Sequence, residues 1–94
     1  MVIDKRKVES GLLSKGFRQS DTHHHYFIYY LINGEKTPVN TRTSHSPKEK
    51  SFDAARIAQM ARQCGLKTAE FLELVECPLD RDTYERLLLD RRLA

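Results

Sequence analysis

Residues 23–39 read HHHYFIYYLINGEKTPV, and this stretch contains the clearest β-hairpin pattern in the chain. Residues 23–32 are mostly aromatic or β-branched, a composition that favours a strand. Asn33-Gly34 follows, and both residues tolerate the positive φ angles of a two-residue hairpin turn. Residues 35–43 then return as the next strand. We therefore predict two antiparallel strands joined at Asn33-Gly34.

A two-residue turn fixes the strand register, and the register predicts which face is buried. It pairs Ile32 with Glu35 and Tyr29 with Pro38, where a missing backbone N–H is tolerated only on an edge strand. We therefore expect the third strand at the edge of the sheet. The other prediction is an exposed apolar face that a partner, a second copy or the C-terminal tail would cover. The expected core face carries Tyr26, Ile28, Tyr30, Ile32 and Val39, and the expected exposed face carries Phe27, Tyr29, Leu31, His23 and His25.

Helical patterns flank the hairpin on both sides. Asp4 is placed to cap a first helix that ends at Gly16, and residues 17–20 form a short first strand. Residues 52–64 form the clearest helix, with an apolar face made by Ala54, Ile57, Ala58 and Ala61. Thr68 and Asp80 are placed to cap two further short helices. The sequence thus predicts an α+β fold with the order α-β-β-β-α, a three-stranded antiparallel sheet with helices on one face, and two short C-terminal helices.

Length and composition indicate one domain. The chain has 94 residues, of which 39% are hydrophobic and 31% charged, as in ordinary globular domains. We expect residues 1–66 to form the α-β-β-β-α core and residues 67–94 a helical C-terminal extension. No apolar run reaches the roughly 20 residues of a membrane span, and no signal peptide is recognisable. Cys64 and Cys77 lack metal-ligand spacing, which favours free thiols and a cytoplasmic protein without a membrane partner.

The net charge of +3 is unevenly distributed: residues 1–67 carry +6 and residues 68–94 carry −3. A basic region of this kind suits a polyanion such as RNA, because neutralised phosphates release their counterions. A solvated surface without a ligand explains the same excess. The cations expected to bind RNA are Arg6, Lys7, Arg42, Lys48, Lys50 and Arg56.

The run His23-His24-His25 allows three interpretations. Alternation along a strand places His23 and His25 on one face, where they could bind a metal, but two imidazoles are an incomplete ligand set. Histidines with structural hydrogen bonds are the ordinary explanation. The third interpretation is general acid–base catalysis, since imidazole titrates near neutrality and can accept the proton of a ribose 2′-hydroxyl. His45 favours this reading, because extended hairpin pairing brings it to the same open end, where Lys48, Lys50 and a helix start could hold a phosphate.

Short motifs over roughly residues 5–75 resemble HicA-type proteins, small RNA-cleaving toxins with a double-stranded-RNA-binding-domain-like fold. The resemblance implies cleavage of messenger RNA without a cofactor or metal, His23 as the catalytic histidine, a second site histidine at His45, and restraint by a HicB-type antitoxin. The family has glycine-serine where this chain has Asp21-Thr22, and its members usually lack so long a helical tail after Leu66. The motifs are Gly16-Phe17, Thr22-His23-His24, Asn33-Gly34, a strand containing Pro38, His45 after that strand, Cys64-Gly65-Leu66 and Phe71-Leu72.

Three functions remain open at this level. The first is a HicA-like ribonuclease in which His23 is the general base and His45 assists. The second is a non-catalytic RNA-binding module on the same fold. The third is a protein-interaction domain, including a homodimer, that uses the face of Phe27, Tyr29 and Leu31.

Overall fold

The computed structural model describes residues 2–21, 25–43, 48–76 and 78–94. It confirms an α+β fold, with four helices and five strands in the described part of the chain. The helices are α1 (Lys5–Ser14), α2 (Ala54–Gln63), α3 (Thr68–Glu76) and α4 (Arg81–Asp90). The strands are β1 (Val2–Asp4), β2 (Phe17–Asp21), β3 (His25–Tyr30), β4 (Lys36–Thr43) and β5 (Ser51–Asp53).

Local capping chemistry sets most helix ends. The side chain of Asp4 accepts a hydrogen bond from the backbone N–H of Arg6, and Asp80 caps α4 through Thr83 in the same way, as predicted. Asp53 caps α2, so this helix starts two residues after the predicted position. Thr68 is the first residue of α3 rather than a cap preceding it.

Strands β2, β3 and β4 form a three-stranded antiparallel sheet in that order, which confirms β4 as an edge strand. The predicted two-residue turn is wrong. Leu31 donates its N–H to the carbonyl of Glu35, and Gly34 has a φ of 94°, so the loop contains Ile32, Asn33 and Gly34. This arrangement is a three-residue hairpin loop with glycine in the left-handed region.

The pairing also shifts within the hairpin. Tyr30 pairs with Lys36, whereas Ile28 pairs with Asn40, and the irregularity between them accommodates Pro38. Tyr29 therefore faces the segment around Pro38 without forming the regular pair with it that we predicted. The turn and this irregularity together move the pairing out of the expected register.

The predicted faces of β3 are the wrong way round. Phe27 and Tyr29 are fully buried, whereas Tyr26, Ile28 and Tyr30 keep contact with solvent. The register decides which β4 residues share a face with them, and it places Val39 with Phe27 and Tyr29 rather than with Ile28. The expected exposed stripe is thus the core face, and a protein interface on Phe27 and Tyr29 is excluded. Ile32 is also exposed rather than part of the core, while Val39 is buried as expected.

A second, two-stranded sheet was not predicted. β1 pairs antiparallel with β5, with Ile3 opposite Phe52. Both of these side chains are buried, so the ribbon contributes to the core. Asp4 and Asp53, the caps of α1 and α2, end its two strands, and the ribbon thereby positions both helix starts.

One hydrophobic cluster includes side chains from all four described helices and from both sheets. The predicted face of α2 is confirmed at Ile57 and Ala61, whereas Ala54 is exposed and Met60 is buried instead. The buried hydrophobic residues are Ile3, Val8, Leu12, Phe17, Phe27, Tyr29, Val39, Phe52, Ile57, Met60, Ala61, Cys64, Leu66, Phe71, Leu74, Val75, Tyr84 and Leu88.

The two C-terminal helices are joined to the rest by buried polar contacts. The ammonium of Lys15 donates hydrogen bonds of 2.7 Å and 2.6 Å to the carbonyls of Leu74 and Leu79. The Tyr84 hydroxyl donates a hydrogen bond of 2.8 Å to the carbonyl of Cys64. Residues 67–94 therefore complete the core.

No described helix combines the length and the apolar character needed to cross a lipid bilayer.

Candidate functional site

The end of the β2–β3–β4 sheet that lies away from the hairpin loop collects the residues of chemical interest. Its last described row joins Asp21, His25 and Thr43, which are cross-strand partners on three adjacent strands. The segment that contains His23 connects Asp21 to His25, and the segment that contains His45 begins after Thr43. The described ends of the two segments are therefore neighbours.

The predicted catalytic residues His23 and His45 lie outside the described residues, and so does His24. The predicted pairing of His45 with the strand of His23 falls in the same region. The histidine that the structure does describe in this region is the next one along the chain. That residue is His25.

His25 belongs to a polar cluster that the sequence analysis did not identify. Its Nδ1 lies 2.7 Å from Nε2 of Gln19 and 3.2 Å from Oδ1 of Asp21. Gln19 also donates a hydrogen bond of 2.8 Å to Asp21. The signal was present in the sequence, because Gln19, Asp21 and His25 share one face once β2 and β3 are paired in register.

Two hydrogen-bonding patterns are open to the His25 ring. If Gln19 donates to Nδ1, the neutral ring carries its proton on Nε2. If Nδ1 carries the proton, it donates to Asp21, and the lone pair of the neutral ring lies on Nε2. Asp21 is therefore placed to orient the imidazole of His25. A carboxylate near a phosphate site would otherwise repel the phosphate, and this role gives it a reason to be there.

Among the predicted RNA-binding cations, Arg42 and Arg56 are the best placed. Arg42 directly precedes Thr43 on β4, and its side chain is exposed. The guanidinium of Arg56 donates to the carbonyl of Arg42 and, over 2.8 Å, to the side chain of Gln59. It also lies 5.8 Å from the ring centroid of Phe52. The start of α2 is thereby held against the His25 end of β4.

Two other predicted cations line a cleft of about 470 Å³ between the start of α1 and the segment before β5. Thr43 connects this cleft to the sheet, because its hydroxyl donates a 2.6 Å hydrogen bond to Glu9. The cleft contains as many carboxylates as cations, so its charge alone does not favour an anion. Its lining residues are Asp4, Lys5, Arg6, Glu9, Glu49 and Lys50.

The remaining predicted cations differ in their surroundings. The ammonium of Lys7 lies 3.0 Å from the carboxylate of Glu76, so it faces α3 and not the sheet end. Lys48 is exposed at the start of the segment that leads into β5. The predicted RNA-binding cations therefore do not form one patch: they lie at the sheet end, in the cleft, beside α3 and, for Lys48, before β5.

The last helix, α4, contacts the sheet through Tyr84 and Arg81. Tyr84 of α4 packs against Phe17 and Tyr29, with ring centroids 5.8 Å and 5.1 Å away. Arg81 donates to the carbonyl of Tyr30 at 2.9 Å. These contacts lie at the hairpin-loop end of β3, the end opposite His25.

The described residues contain no group of three or more histidine, cysteine, aspartate or glutamate side chains arranged to bind a metal ion.

The chain was compared with known proteins, and no family model, no curated protein and no solved structure matches it.

Proposed function

We propose that this protein binds and cleaves RNA in the manner of HicA-type toxins, without a metal ion, on a double-stranded-RNA-binding-domain-like arrangement. The sequence of α1, the sheet strands β2, β3 and β4, and then α2 supports this arrangement, with the short strands β1 and β5 added before α1 and before α2. The shared hydrophobic cluster of α1, α2 and the sheet supports it as well. Messenger RNA is the proposed substrate, and a HicB-type antitoxin is the proposed partner.

The adjacency of Asp21, His25 and Thr43 carries the proposal. The chain continues from this row, on neighbouring strands, into the two segments whose sequences contain His23 and His45. Arg56, whose guanidinium donates to the backbone carbonyl of Arg42, stands beside it and supplies positive charge for a phosphodiester. The contacts of Tyr84 and Arg81 of α4 lie at the other end of the sheet, so these two side chains do not occupy this row.

The reaction needs only side chains. His23 accepts the 2′-hydroxyl proton, and the 2′ oxygen attacks the adjacent phosphorus while the bond from phosphorus to the 5′ oxygen breaks. A protonated histidine, for which His45 is the candidate, returns a proton to the leaving 5′ oxygen. Arginine side chains stabilise the charge that builds on the phosphoryl oxygens. The products are a 2′,3′-cyclic phosphate and a 5′-hydroxyl.

The test is cleavage of single-stranded RNA in the presence of a chelator, with the ends of the products identified by mass spectrometry. We expect cyclic phosphate ends from the wild type and a loss of about 100-fold or more in His23→Ala, the range of general base catalysis. His45→Ala and His25→Ala are the matched variants, and circular dichroism checks that each is folded. Equal cleavage by wild type and His23→Ala would reject His23 as the base. Absence of cyclic ends in the wild type would reject the proposed activity.

A further inference from the structure

The face of the β2–β3–β4 sheet that points away from the core has its own chemical character. Because Phe17, Phe27 and Tyr29 are buried, the alternate residues of each strand form an opposite face. We call this opposite face the outer face. It consists of Arg18, Ser20, Tyr26, Ile28, Tyr30, Lys36, Asn40 and Arg42.

The outer face is arranged in rows across the strands. Tyr26 lies between Ser20 and Arg42, and Ile28 lies between Arg18 and Asn40. Tyr30 pairs with Lys36. Tyr26 and Tyr30 are four residues apart on one strand, a separation of about 13 Å.

Both tyrosines are partly exposed, whereas Tyr29 and Tyr84 are fully buried in the core. The guanidinium of Arg18 lies 4.0 Å from the ring centroid of Tyr30 and is itself exposed. It adds a planar group on top of that ring. The outer face therefore presents two planar surfaces, the ring of Tyr26 and the pair of Arg18 with Tyr30.

The charge of the outer face has one sign. The side chains on it that are charged at neutral pH are Arg18, Lys36 and Arg42. Asp21 is the one acidic residue in these three strands, and its partner His25 stands on the side of Phe27. Aromatic rings at regular spacing with cations around them are the features that proteins use to bind single-stranded nucleic acid, by stacking on bases and contacting phosphates.

We propose that the outer face binds single-stranded RNA, with bases stacked on Tyr26 and on the Arg18–Tyr30 pair and with phosphates contacted by Arg42 and Lys36. This inference rests on the proposed function for its choice of ligand. It adds a binding surface distinct from the histidine end of the sheet. Tyr26 directly follows His25 on β3, so a strand lying on the outer face would lead to that end.

The test measures binding of a fluorescently labelled RNA of eight nucleotides to the His23→Ala variant by anisotropy. In that background we expect Tyr26→Leu, Tyr30→Leu and Arg18→Gln each to weaken binding at least about fivefold, and Tyr26→Phe, which keeps the ring, to bind as the parent does. Arg86→Gln is the control for loss of one exposed charge, because it lies on α4 away from the outer face. The affinity for duplex RNA should change little in the tyrosine variants, since the bases of a duplex are already stacked on one another.

A second measurement does not depend on substitutions. The chain has four tyrosines and no tryptophan. On titration with the RNA, the ring protons of Tyr26 and Tyr30 should shift upfield in NMR spectra, whereas those of the buried Tyr29 and Tyr84 should stay in place.

Several results would overturn this inference: no binding of single strands, unchanged binding in all three variants, or stationary Tyr26 and Tyr30 resonances. A dimer that dissociates in Tyr26→Leu, with RNA binding unaffected, would assign the outer face to self-association instead. Failure of the proposed function is separate, because it is read from cleavage products. A protein that binds through the outer face and does not cut would keep this inference and lose that one.

Discussion

The carboxylate of Glu85 accepts a 2.6 Å hydrogen bond from the hydroxyl of Tyr29, which joins the last helix to the central strand of the sheet. The same oxygen accepts a 2.8 Å bond from the backbone N–H of Ile32 in the hairpin loop. The Glu85 side chain of α4 therefore binds both the central strand and the hairpin loop. We infer that α4 and the sheet stabilise each other, so a substitution that weakens α4 should destabilise the whole domain.

Leu88→Ala should lower the free energy of unfolding by about 2–5 kcal/mol, because it leaves a cavity in the core. Leu88 is fully buried, whereas its neighbour Leu89 is 50% exposed. Leu89→Ala is the matched control, with an expected change within about 0.5 kcal/mol. Urea unfolding followed by circular dichroism measures both. Equal effects of the two substitutions would show that α4 does not pack as described.

Gly11→Ala should destabilise the protein by about 1–3 kcal/mol, although alanine favours a helix by about 1 kcal/mol over glycine. A Cβ at Gly11 would lie 2.7 Å from the carbonyl oxygen of Val75, and backbone cannot move aside as a flexible side chain can. Ser10→Ala on the exposed side of α1 is the control and should be neutral or slightly stabilising. Thermal unfolding of both variants tests the close approach of α1 to α3, and a more stable Gly11→Ala protein would contradict it.

Stability should fall as the pH rises from about 9 to about 12. Burial and the hydrogen bond to Glu85 raise the pKa of Tyr29 to about 12, and burial raises the pKa values of Tyr84 and Cys64. The unfolded chain then loses these protons first, so the stabilisation is complete below pH 9 and disappears as the folded groups ionise. Urea midpoints at pH 8, 9.5 and 11 measure the decline. In Tyr29→Phe the free energy of unfolding should fall less steeply with pH, because up to one fewer proton is released on unfolding. An unchanged slope would be evidence against a buried Tyr29.

Arg91→Gln should raise the pKa of Glu70 from about 2 toward the ordinary value near 4.5. The Arg91 guanidinium is the main cause of the low value, through hydrogen bonds of 3.0 Å and 2.8 Å, and the Lys67 N–H adds a third bond. Because the folded pKa is depressed, this stabilisation is present above pH 4.5 and is lost as the pH falls toward 2. A carboxyl NMR titration reads the pKa. Arg92→Gln removes the adjacent cation and should leave it near 2; a similar rise in both variants would mean that Arg91 has no specific part.

Features that depend on a few neighbouring residues could be predicted from the sequence. The caps Asp4 and Asp80 and the helix-ending Gly16 were predicted because each acts within one helical turn of its own position. The edge position of β4 followed from Pro38, which lacks a backbone donor. The fold class followed from these local signals in order.

The buried face of the hairpin could not be predicted in the same way. A two-residue and a three-residue loop both fit Asn33-Gly34, and they differ by one residue in register. The irregularity at Pro38 adds a second shift. Together these moved Val39 from the predicted face of Ile28 to that of Phe27 and Tyr29. Both faces of β3 are apolar in sequence, so the alternation along β3 alone did not show which face is the interior.

The run of histidines at positions 23–25 pointed to this end of the sheet from the sequence alone, whereas the contacts that surround His25 could not be predicted. The bond between Thr43 and Glu9 and that between Arg56 and the Arg42 carbonyl join elements that are distant along the chain. Such contacts follow from the packing of α1 and α2 on the sheet, which a single sequence does not specify. The cluster around His25 likewise requires the register of β2 with β3.

The β1–β5 ribbon has a consequence for the order of folding. Its pairs join residues about 50 positions apart, such as Ile3 and Phe52, so closing it is entropically costly until the intervening chain has collapsed. A local hairpin such as β3–β4 needs only microseconds. We therefore expect the amino terminus to dock late, after the long-lived local elements exist. A chain emerging from the ribosome would carry Val2–Asp4 unpaired until Ser51–Asp53 has been synthesised.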